Sequence, residues 1–297
     1  MILKEAGFLL LTCRLGNPDR KVLSTAQLRT LSRRMRDFPI DNPDRELVPE
    51  DLMKLGYGAD LARRIVGLLE EEELLLHYLR RAQRAGCIPI TRVHALYPAI
   101  LRQRLGDDAP GCLWAKGDPD ILNDPKIALV GSRELAAPNA EFAREAGRQA
   151  AVQGYALVSG NARGADKIAQ EAALAAGGRV ISIVADCLEK HDLRENLLYL
   201  SEDAFEADFS AQRALSRNRC IHALGEKALV AQASYQHGGT WDGTVKNLRF
   251  GWSPVFCFDD GSPAARLLCQ MGAVGIPPDA LSDFQALQPW EDNFLGR

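Results

Sequence analysis

The first third of the chain carries apolar residues at the spacing of amphipathic helices. They recur three and four positions apart in three stretches: Leu28, Leu31 and Met35; Leu61, Ile65, Leu68 and Leu69; and Leu74, Leu75, Tyr78 and Leu79. This spacing places apolar side chains on one face of each helix, and the polar run Asp41–Asp44 predicts a loop. We therefore predict a small helical domain over residues 1–85, with Ala6–Thr12 as a further helix packed on it.

The pattern changes after Lys126, where short and wholly apolar runs begin to alternate with helical stretches. The predicted strands are Ile127–Val130, Ala156–Ser159, Arg179–Val184, Ala228–Ala231 and Pro254–Phe258. The predicted helices are Pro138–Gln153, Lys167–Ala176, Ala211–Leu224 and Thr244–Arg249. Apolar strands separated by helices are typical of a sheet that is buried on both faces. The fold predicted for residues 127–275 is α/β, a Rossmann-like doubly wound and mostly parallel sheet.

Two other segments flank this core. Residues 86–126 contain five prolines and only short apolar runs, so they are predicted to be a connector leading into the core, with Cys112–Gly117 as an edge strand. Residues 276–297 carry one basic and four acidic side chains and are predicted to be an acidic C-terminal tail.

Charge and cysteine content narrow the function classes. The net charge is −3, so nucleic-acid binding requires a local basic patch, although residues 1–105 carry a net charge of +5. The seven cysteines include no Cys-x-x-Cys pair, which argues against a zinc site and favours a reducing, cytoplasmic location. The start, Met1–Leu11, has only a short apolar run with an acidic residue and does not match the pattern expected of a signal peptide. No apolar run reaches the roughly 18 residues needed for a membrane span.

Two loops at predicted strand ends carry the residues suited to phosphate binding. Gly131-Ser132-Arg133 follows the first strand of the core, and the second strand ends in Ser159-Gly160 and continues to Arg163-Gly164, Asp166 and Lys167. Ligands of open parallel sheets bind at the carboxyl ends of strands. Glycine lets backbone amides approach an anion, and arginine gives two hydrogen bonds to a phosphate. The alternative is that the glycines only form tight turns.

The usual nucleotide fingerprints are absent from these loops. Neither Gly-x-Gly-x-x-Gly nor Gly-x-x-x-x-Gly-Lys-Ser/Thr follows the first strand of the core. Binding of NAD or ATP in the manner of those motifs is therefore disfavoured, and no cofactor is expected.

Two later segments are predicted to converge on the same edge of the sheet. Arg217-Asn218-Arg219 places two guanidinium groups beside an amide, with a solvated helix start as the alternative. Gly238-Gly239-Thr240 precedes a predicted helix and suits a third anion-binding loop. Trp241 next to it is suited equally to stacking on a base and to packing in the core.

The N-terminal region contains one further candidate. Leu55–Ile65 resembles a helix-hairpin-helix motif, in which the turn Gly56-Tyr57-Gly58 presents amides to a DNA phosphate and Arg63 and Arg64 add charge. The alternative is an ordinary pair of packed helices.

The four core segments together resemble the DNA-processing protein A (DprA/Smf) family. The matching motifs are Val130-Gly131-Ser132-Arg133, Ser159–Asp166, Arg217-Asn218-Arg219 and Gly238-Gly239-Thr240, within a resemblance that covers about residues 95–275. The resemblance implies a protein that binds single-stranded DNA in a basic pocket and acts in recombination or natural transformation. It also implies loading of the RecA recombinase and a homodimer, with no catalytic residues and no metal. Ala165 and the turn before Trp241 depart from the family pattern.

Two other functions remain open. The core is also distantly similar to lysine-decarboxylase-like phosphoribohydrolases, which act on nucleoside monophosphates. No Glu follows Gly238–Asn247 here, so Asp242 or Asp166 would have to supply the carboxylate. The last alternative is an adaptor whose helical domain recruits a partner protein while the core senses a ligand.

Overall fold

The computed structural model describes residues 3–36 and 46–289, which contain a nine-stranded sheet. In chain order the strands are β1 (Cys87–Thr91), β2 (Cys112–Lys116), β3 (Lys126–Val130), β4 (Ala156–Ser159), β5 (Val180–Ile183), β6 (Leu197–Ser201), β7 (Lys227–Val230), β8 (Val255–Phe258) and β9 (Val274–Ile276). Their spatial order is β1-β2-β6-β5-β4-β3-β7-β8-β9. The strands from β6 to β9 in this order pair in parallel, whereas β1 and β2 are antiparallel to their neighbours. The predicted mostly parallel α/β fold is confirmed.

Helices cover both faces of the sheet, and others form a separate N-terminal cluster. In chain order the helices are α1 (Leu3–Thr12), α2 (Thr25–Arg36), α3 (Pro49–Lys54), α4 (Ala59–Leu69), α5 (Glu72–Arg84), α6 (Ala99–Leu105), α7 (Ala137–Val152), α8 (Ala165–Ala175), α9 (Ala211–Leu224), α10 (Gly238–Phe250) and α11 (Pro263–Gln270). Alternate residues of β3 point to opposite faces. Ile127 and Leu129 join a core with α1, α5, α7 and α8, and Ala128 and Val130 join a core with α6, α9, α10 and α11.

The strand β3 lies where the strand order of the sheet reverses, and this determines the position of the site. The chain runs outward through β4, β5 and β6, and later returns to place β7 on the other side of β3. Such a switch point leaves a crevice at the carboxyl ends of the two neighbouring strands, because the connections leave in opposite directions. The loops after β3 and β7 border this crevice.

The N-terminal helices contribute to two cores. Leu23, Leu31, Leu52 and Ile65 belong to a small cluster formed by the first four helices. The helices α1 and α5 also pack on the sheet, where Tyr78 of α5 contacts Trp114 of β2 edge to face at 5.6 Å. The predicted helical spacings are confirmed in α2, α4 and α5. The predicted loop Asp41–Asp44 lies outside the described residues.

The segments predicted to flank the core extend the sheet in the structure. The predicted connector contains β1, α6 and β2, and β2 is an interior strand because it pairs with both β1 and β6. The edge strand on this side of the sheet is β1, whose Pro89 suits an edge because proline cannot donate to a sheet. The boundary predicted at residue 276 falls inside β9.

The described part of the predicted acidic tail is packed on the protein. Leu281 and Phe284 are fully buried, and the Phe284 ring meets Tyr155 edge to face at 5.5 Å. The Gln153 side chain donates to the carbonyl of Leu281 and accepts from the backbone N–H of Phe284. These contacts fix the segment after β9 beside the end of α7.

Neither a membrane-spanning helix nor a metal-binding cluster is found among residues 3–36 and 46–289. No helix there is long and apolar enough to cross a bilayer. No group of three His, Cys, Asp or Glu residues in the same ranges is arranged to hold a metal ion.

Phe284→Ala is expected to lower the free energy of unfolding by about 3–5 kcal/mol, because it removes a fully buried aromatic ring and leaves a cavity. Urea denaturation of the full chain measures the loss, with exposed Gln285→Ala as the matched control. Equal stability of Phe284→Ala and the control would contradict the packing of this segment.

Candidate nucleic-acid interface

A two-lobed cleft lies at the carboxyl ends of β3, β4 and β7. The larger lobe has a volume of about 600 Å³ and reaches the start of α10, and the smaller lobe has a volume of about 440 Å³ and reaches Ala185 and Asp186 after β5. Residues common to both lobes form the junction between them: Arg133, Ala162, Phe209, Ala214 and Arg217.

The loop after β3 is held in place through its backbone. The N–H of Ser132 donates to the carbonyl of Gln232 over 2.9 Å, and the carbonyl of Ser132 accepts from the N–H of Ala165 over 3.2 Å. The Ser132 hydroxyl also donates to Gln232. A Cβ on Gly131 would lie 2.3 Å from the Cβ of Ala165, so glycine is required where β3 passes the start of α8. This loop presents Arg133 to the cleft.

The loop after β4 is closed by a buried carboxylate. Asp166 accepts hydrogen bonds from the N–H groups of Gly160 and Ala162 over 3.1 and 3.2 Å. Gly164 has a φ of +89°, and a Cβ there would lie 2.4 Å from the carbonyl oxygen of Arg133. Ser159 is fully buried and accepts from Gln170. Ser159 and Asp166 therefore shape the loop from within, whereas both were predicted as phosphate ligands.

Arg217 of α9 is the main charged group of the junction. Its side chain is buried against Gly160, where any Cβ would overlap the guanidinium at 1.5 Å. Among the described residues it has no hydrogen-bond partner, and its Nε is fully buried. Burial lowers the pKa of Arg217, and the nearby Asp166 carboxylate opposes this shift. Burial likewise raises the pKa of Asp166, and the charge of Arg217 opposes that shift.

The other basic side chains predicted to bind phosphate differ in whether they already have an ion-pair partner. Arg133 is exposed and forms no ion pair or hydrogen bond within residues 3–36 and 46–289. Arg163 is exposed and pairs with Glu134 over 3.0 Å, and Lys167 pairs with Glu171 over 3.1 Å. Exposed pairs of this kind contribute at most about 1 kcal/mol, so Arg163 can exchange its partner for a phosphate. Lys167 does not line either lobe.

The segment Arg217-Asn218-Arg219 lies inside α9, and its three side chains have different roles. Asn218 donates to the carbonyl of Gly239 over 3.0 Å and so holds α10 against α9. Arg219 pairs with Glu202 at 2.5 Å and does not line the cleft. Residues two positions apart on a helix point in nearly opposite directions, which separates Arg219 from Arg217. The alternative of a solvated helix start is wrong.

Gly238-Gly239-Thr240 forms the first turn of α10, six residues before the predicted helix start at Thr244. The two helices can approach closely because of glycine, since a Cβ at Gly243 would lie 3.2 Å from the Cβ of Asn218. The free N–H groups of this turn border the larger lobe, where a helix N-terminus favours an anion. Trp241 is 8% exposed and packs in the core, so the packing alternative holds.

The hairpin predicted in the N-terminal region forms between α3 and α4. Gly56 has a φ of +81°, which glycine adopts without strain. Arg63 pairs with Asp60 at 2.5 Å, and Arg34 covers the Tyr57 ring at 4.6 Å. DNA binding by this hairpin stays a prediction.

Sequence reasoning missed two residues of the cleft. Phe209 lines both lobes with 58% of its surface exposed, and its only sequence signal is a lone aromatic residue in a polar stretch. His222 contributes to the floor of the larger lobe and is 1% exposed. No motif marks it, because its position depends on the packing of α9 against α10.

A family model described as DNA recombination-mediator protein A matches residues 89–247, which is more than half of the 297 residues. The chain belongs to this family. The family resemblance predicted from the four core motifs is confirmed.

Relatives of this family are identical to the chain at about a third of the aligned positions. The DNA processing protein DprA of Bacillus subtilis is 31% identical over 169 residues, which are 53% of this chain and 56% of that protein. DprA of Streptococcus pneumoniae is 32% identical over 197 residues, covering 60% of this chain and 68% of that protein. The match thus spans little more than half the length of the Bacillus protein.

Solved structures of family members share the fold. The crystal structure of DprA from Streptococcus pneumoniae matches 88% of this chain and 98% of its own, with a TM-score of 0.62 and 23% identity. A DprA from Helicobacter pylori, described for its single-stranded DNA binding mode, matches 64% of this chain and 90% of its own, with a TM-score of 0.53 and 24% identity.

Within this family fold, His222 is a neutral hydrogen-bond donor. The Asn247 side-chain oxygen accepts from the N–H of Ser253, so its Nδ2 donates to Nδ1 of His222 over 3.1 Å. The imidazole proton therefore resides on Nε2, which has no partner among the described residues. Burial lowers the pKa of His222 to about 4, which keeps the ring neutral at pH 7.

This burial predicts a pH dependence of stability. Since His222 takes up a proton more readily when unfolded, its contribution to stability is lost as the pH falls from about 6.5 towards 4. Between pH 7 and 4.5, His222→Gln is expected to lose about 2 kcal/mol less unfolding free energy than the wild type. Urea denaturation at both pH values measures this difference. Equal losses in both proteins would show that His222 is not held neutral by burial.

Proposed function

We propose that this protein binds single-stranded DNA in the two-lobed cleft and acts in DNA processing during recombination or DNA uptake. The observation that carries the proposal is Arg217, a buried guanidinium with no hydrogen-bond partner among the described residues at the junction of the two lobes. A buried charge without hydrogen bonds costs several kcal/mol. A phosphate at the junction supplies the missing acceptors and a compensating charge.

The surroundings of Arg217 support a phosphate there. Arg133 lines the same junction without a partner in the described part of the chain, and the two arginines repel each other electrostatically. Asp166 compensates part of this charge, but its carboxylate is engaged by two loop amides. An anion between Arg133 and Arg217 relieves the repulsion and receives charge-assisted hydrogen bonds from both.

The shape of the cleft favours a strand over a single nucleotide. Lobes of about 600 and 440 Å³ extend on opposite sides of the arginine junction. A phosphodiester held at the junction therefore has space for a nucleoside on each side. The exposed ring of Phe209 borders both lobes and offers a surface on which a base stacks. The described single-stranded DNA binding of the Helicobacter relative supports the same assignment.

The placement of the two candidate carboxylates does not favour the phosphoribohydrolase alternative. Asp166 is buried and closes the loop after β4, and Asp242 is exposed and does not line either lobe. We accordingly propose a binding protein and not an enzyme.

Two further parts of the proposal rest on the family resemblance. They are a homodimer and loading of the RecA recombinase, and the proposed cytoplasmic location rests instead on the cysteine pattern. Sedimentation equilibrium tests the dimer, and assembly of RecA on strands covered by a single-strand-binding protein tests the loading. An adaptor role of the N-terminal helices is compatible with this proposal.

Arg133→Gln and Gly160→Ala are expected to weaken binding of a labelled single-stranded oligonucleotide by about 10-fold or more each, since a charged hydrogen bond contributes about 1.5–3 kcal/mol. The alanine methyl group displaces the Arg217 guanidinium, a flexible side chain, so the fold persists. Fluorescence anisotropy at two salt concentrations measures the affinity. The logarithm of the wild-type affinity is expected to fall with the logarithm of salt concentration by about 0.7 per contacted phosphate.

The control for this experiment is Arg266→Gln, which removes an exposed arginine of α11 outside the cleft. Wild-type affinity in both cleft variants would refute the proposed function. Equal affinity for double-stranded DNA would refute its single-strand preference.

Phe209→Ala is expected to reduce single-strand affinity by about 1–3 kcal/mol, because it removes a stacking surface. Its stability should change little, since 58% of the ring is already exposed. Leu193→Ala is a matched control, as this side chain is 65% exposed and lies outside both lobes. The same loss of affinity in both variants would rule out stacking on Phe209.

A further inference from the structure

A second and larger concavity lies between the N-terminal helices and the sheet. It has a volume of about 1250 Å³ and is bordered by α1, α2, the segment after β1 and the segment after β6. We call it the arginine groove after five of its lining residues: Arg14, Arg33, Arg36, Arg92 and Arg102. None of the motifs that define the cleft contributes to it.

Among residues 3–36 and 46–289, no carboxylate neutralises the five arginines of the groove. Three carboxylates also line it, but each has its own partner: Arg29 pairs with Asp107 at 2.7 Å, Arg213 with Asp203 at 2.6 Å and Arg219 with Glu202 at 2.5 Å. The five arginines have no carboxylate partner within the described ranges 3–36 and 46–289; Arg92 and Arg102 donate only to backbone carbonyls. Clustered positive charges that face a concavity attract an anionic ligand.

Strand topology places the groove and the cleft on the same edge of the sheet. Thr91 at the end of β1 pairs with Cys112 at the start of β2, and Trp114 of β2 pairs with Ser201 at the end of β6. Since β6 is parallel to β5 and β4, these residues lie at the edge where β3 and β4 end. Neighbouring strands are about 4.8 Å apart, so the three steps from β2 to β4 span roughly 14 Å.

One loop forms a wall of both sites. After β6, Ala204 and Ala207 line the groove, and Phe209 lines the two lobes of the cleft. Arg213 of α9 fixes this loop, since it donates to Asp203 over 2.6 Å and to the carbonyl of Ala207 over 2.7 Å. A chain that leaves the cleft over Phe209 therefore reaches the groove directly.

We infer that the arginine groove continues the single-strand path and holds the phosphates of nucleotides beyond those in the cleft. This inference rests on the proposed function of the cleft. The geometry favours DNA over an acidic peptide, because the groove adjoins the phosphate-binding junction along one sheet edge. Its arginines suit bidentate phosphate contacts, and Phe8 and the exposed Val93 provide apolar surface for bases.

The test compares oligonucleotide lengths in a variant whose groove has lost three charges. Arg14→Gln, Arg33→Gln and Arg36→Gln are combined, since all three side chains are exposed and glutamine suits α2, which contains Arg33 and Arg36. The control combines Arg80→Gln, Arg84→Gln and Arg266→Gln, which remove the same charge from exposed helical positions outside the cleft and the groove. Oligothymidylates of roughly 4–16 nucleotides are titrated by fluorescence anisotropy at several salt concentrations.

In the wild type and the control, affinity is expected to rise with length beyond the shortest oligonucleotide that binds the cleft. In the groove variant the shortest oligonucleotide should bind as in the wild type, and the longest should bind about 10-fold or more weakly. The slope of log affinity against log salt for the longest should fall by about 2, from about 0.7 for each of three phosphate contacts. Retention of wild-type length dependence and salt slope would overturn the inference, as would an equal loss in the control.

The two proposals fail in different ways. The affinity of Arg133→Gln for the shortest oligonucleotide tests only the cleft, and its outcome does not depend on the result for the groove variant. If the cleft variants lose all binding and the groove variant behaves as the wild type, the proposed function stands and the groove has no part in it.

Discussion

A buried guanidinium and a buried carboxylate, Arg217 and Asp166, interact where β3 and β4 end. Removing two charges from water costs several kcal/mol for each, and the protein offsets this only in part. Asp166 accepts hydrogen bonds from two backbone N–H groups and lies in the first turn of α8, where the helix dipole favours a negative charge. The Arg217 guanidinium donates no hydrogen bond to any of the described residues. The positive charge of Arg217 therefore lacks hydrogen-bond acceptors at the junction of the cleft, and the surrounding loops enclose this side chain.

The loops that surround this pair depend on glycine for a steric reason. Gly160 leaves the volume that the Arg217 side chain occupies, and Gly164 lets the loop after β4 pass the carbonyl of Arg133. Gly131 lets β3 pass the start of α8. The three glycines permit the close contacts among two loops and the helices α8 and α9 that bring Arg133 and Arg217 to the same junction. Glycine is thus required at these positions chiefly because a Cβ would overlap neighbouring atoms.

Sequence patterns predicted the central strands well because these are buried on both faces and read as continuous apolar runs, as Ile127–Val130 does. The patterns were less successful for elements whose secondary structure depends on tertiary contacts. The strand β1 contains a proline and pairs only with β2, and β9 has only three residues. The strand β6 is an exception, since Leu197–Ser201 is a buried and mostly apolar run like the other central strands and was nevertheless missed. The two glycines at the start of α10 predicted a loop, but the Asn218 amide and close packing on α9 stabilise a helical turn there. The motif Arg217-Asn218-Arg219 marked the site, yet only the helix phase shows that Arg217 faces the cleft and Arg219 does not.

The antiparallel pair β1 and β2 determines which part of the surface beside the cleft can vary in length. Because β1 ends and β2 begins at that edge, the whole stretch from Arg92 to Gly111, including α6, projects from the side on which the cleft opens. The five-residue pairing of β1 with β2 anchors both ends of this stretch independently of its length. Insertions and deletions in it would leave the arginine junction in place while lengthening or shortening the surface beside it. Reversal of two strands at the margin of a parallel sheet thereby separates two properties that can change independently, the proposed phosphate contact at the junction and the length of the surface beside it.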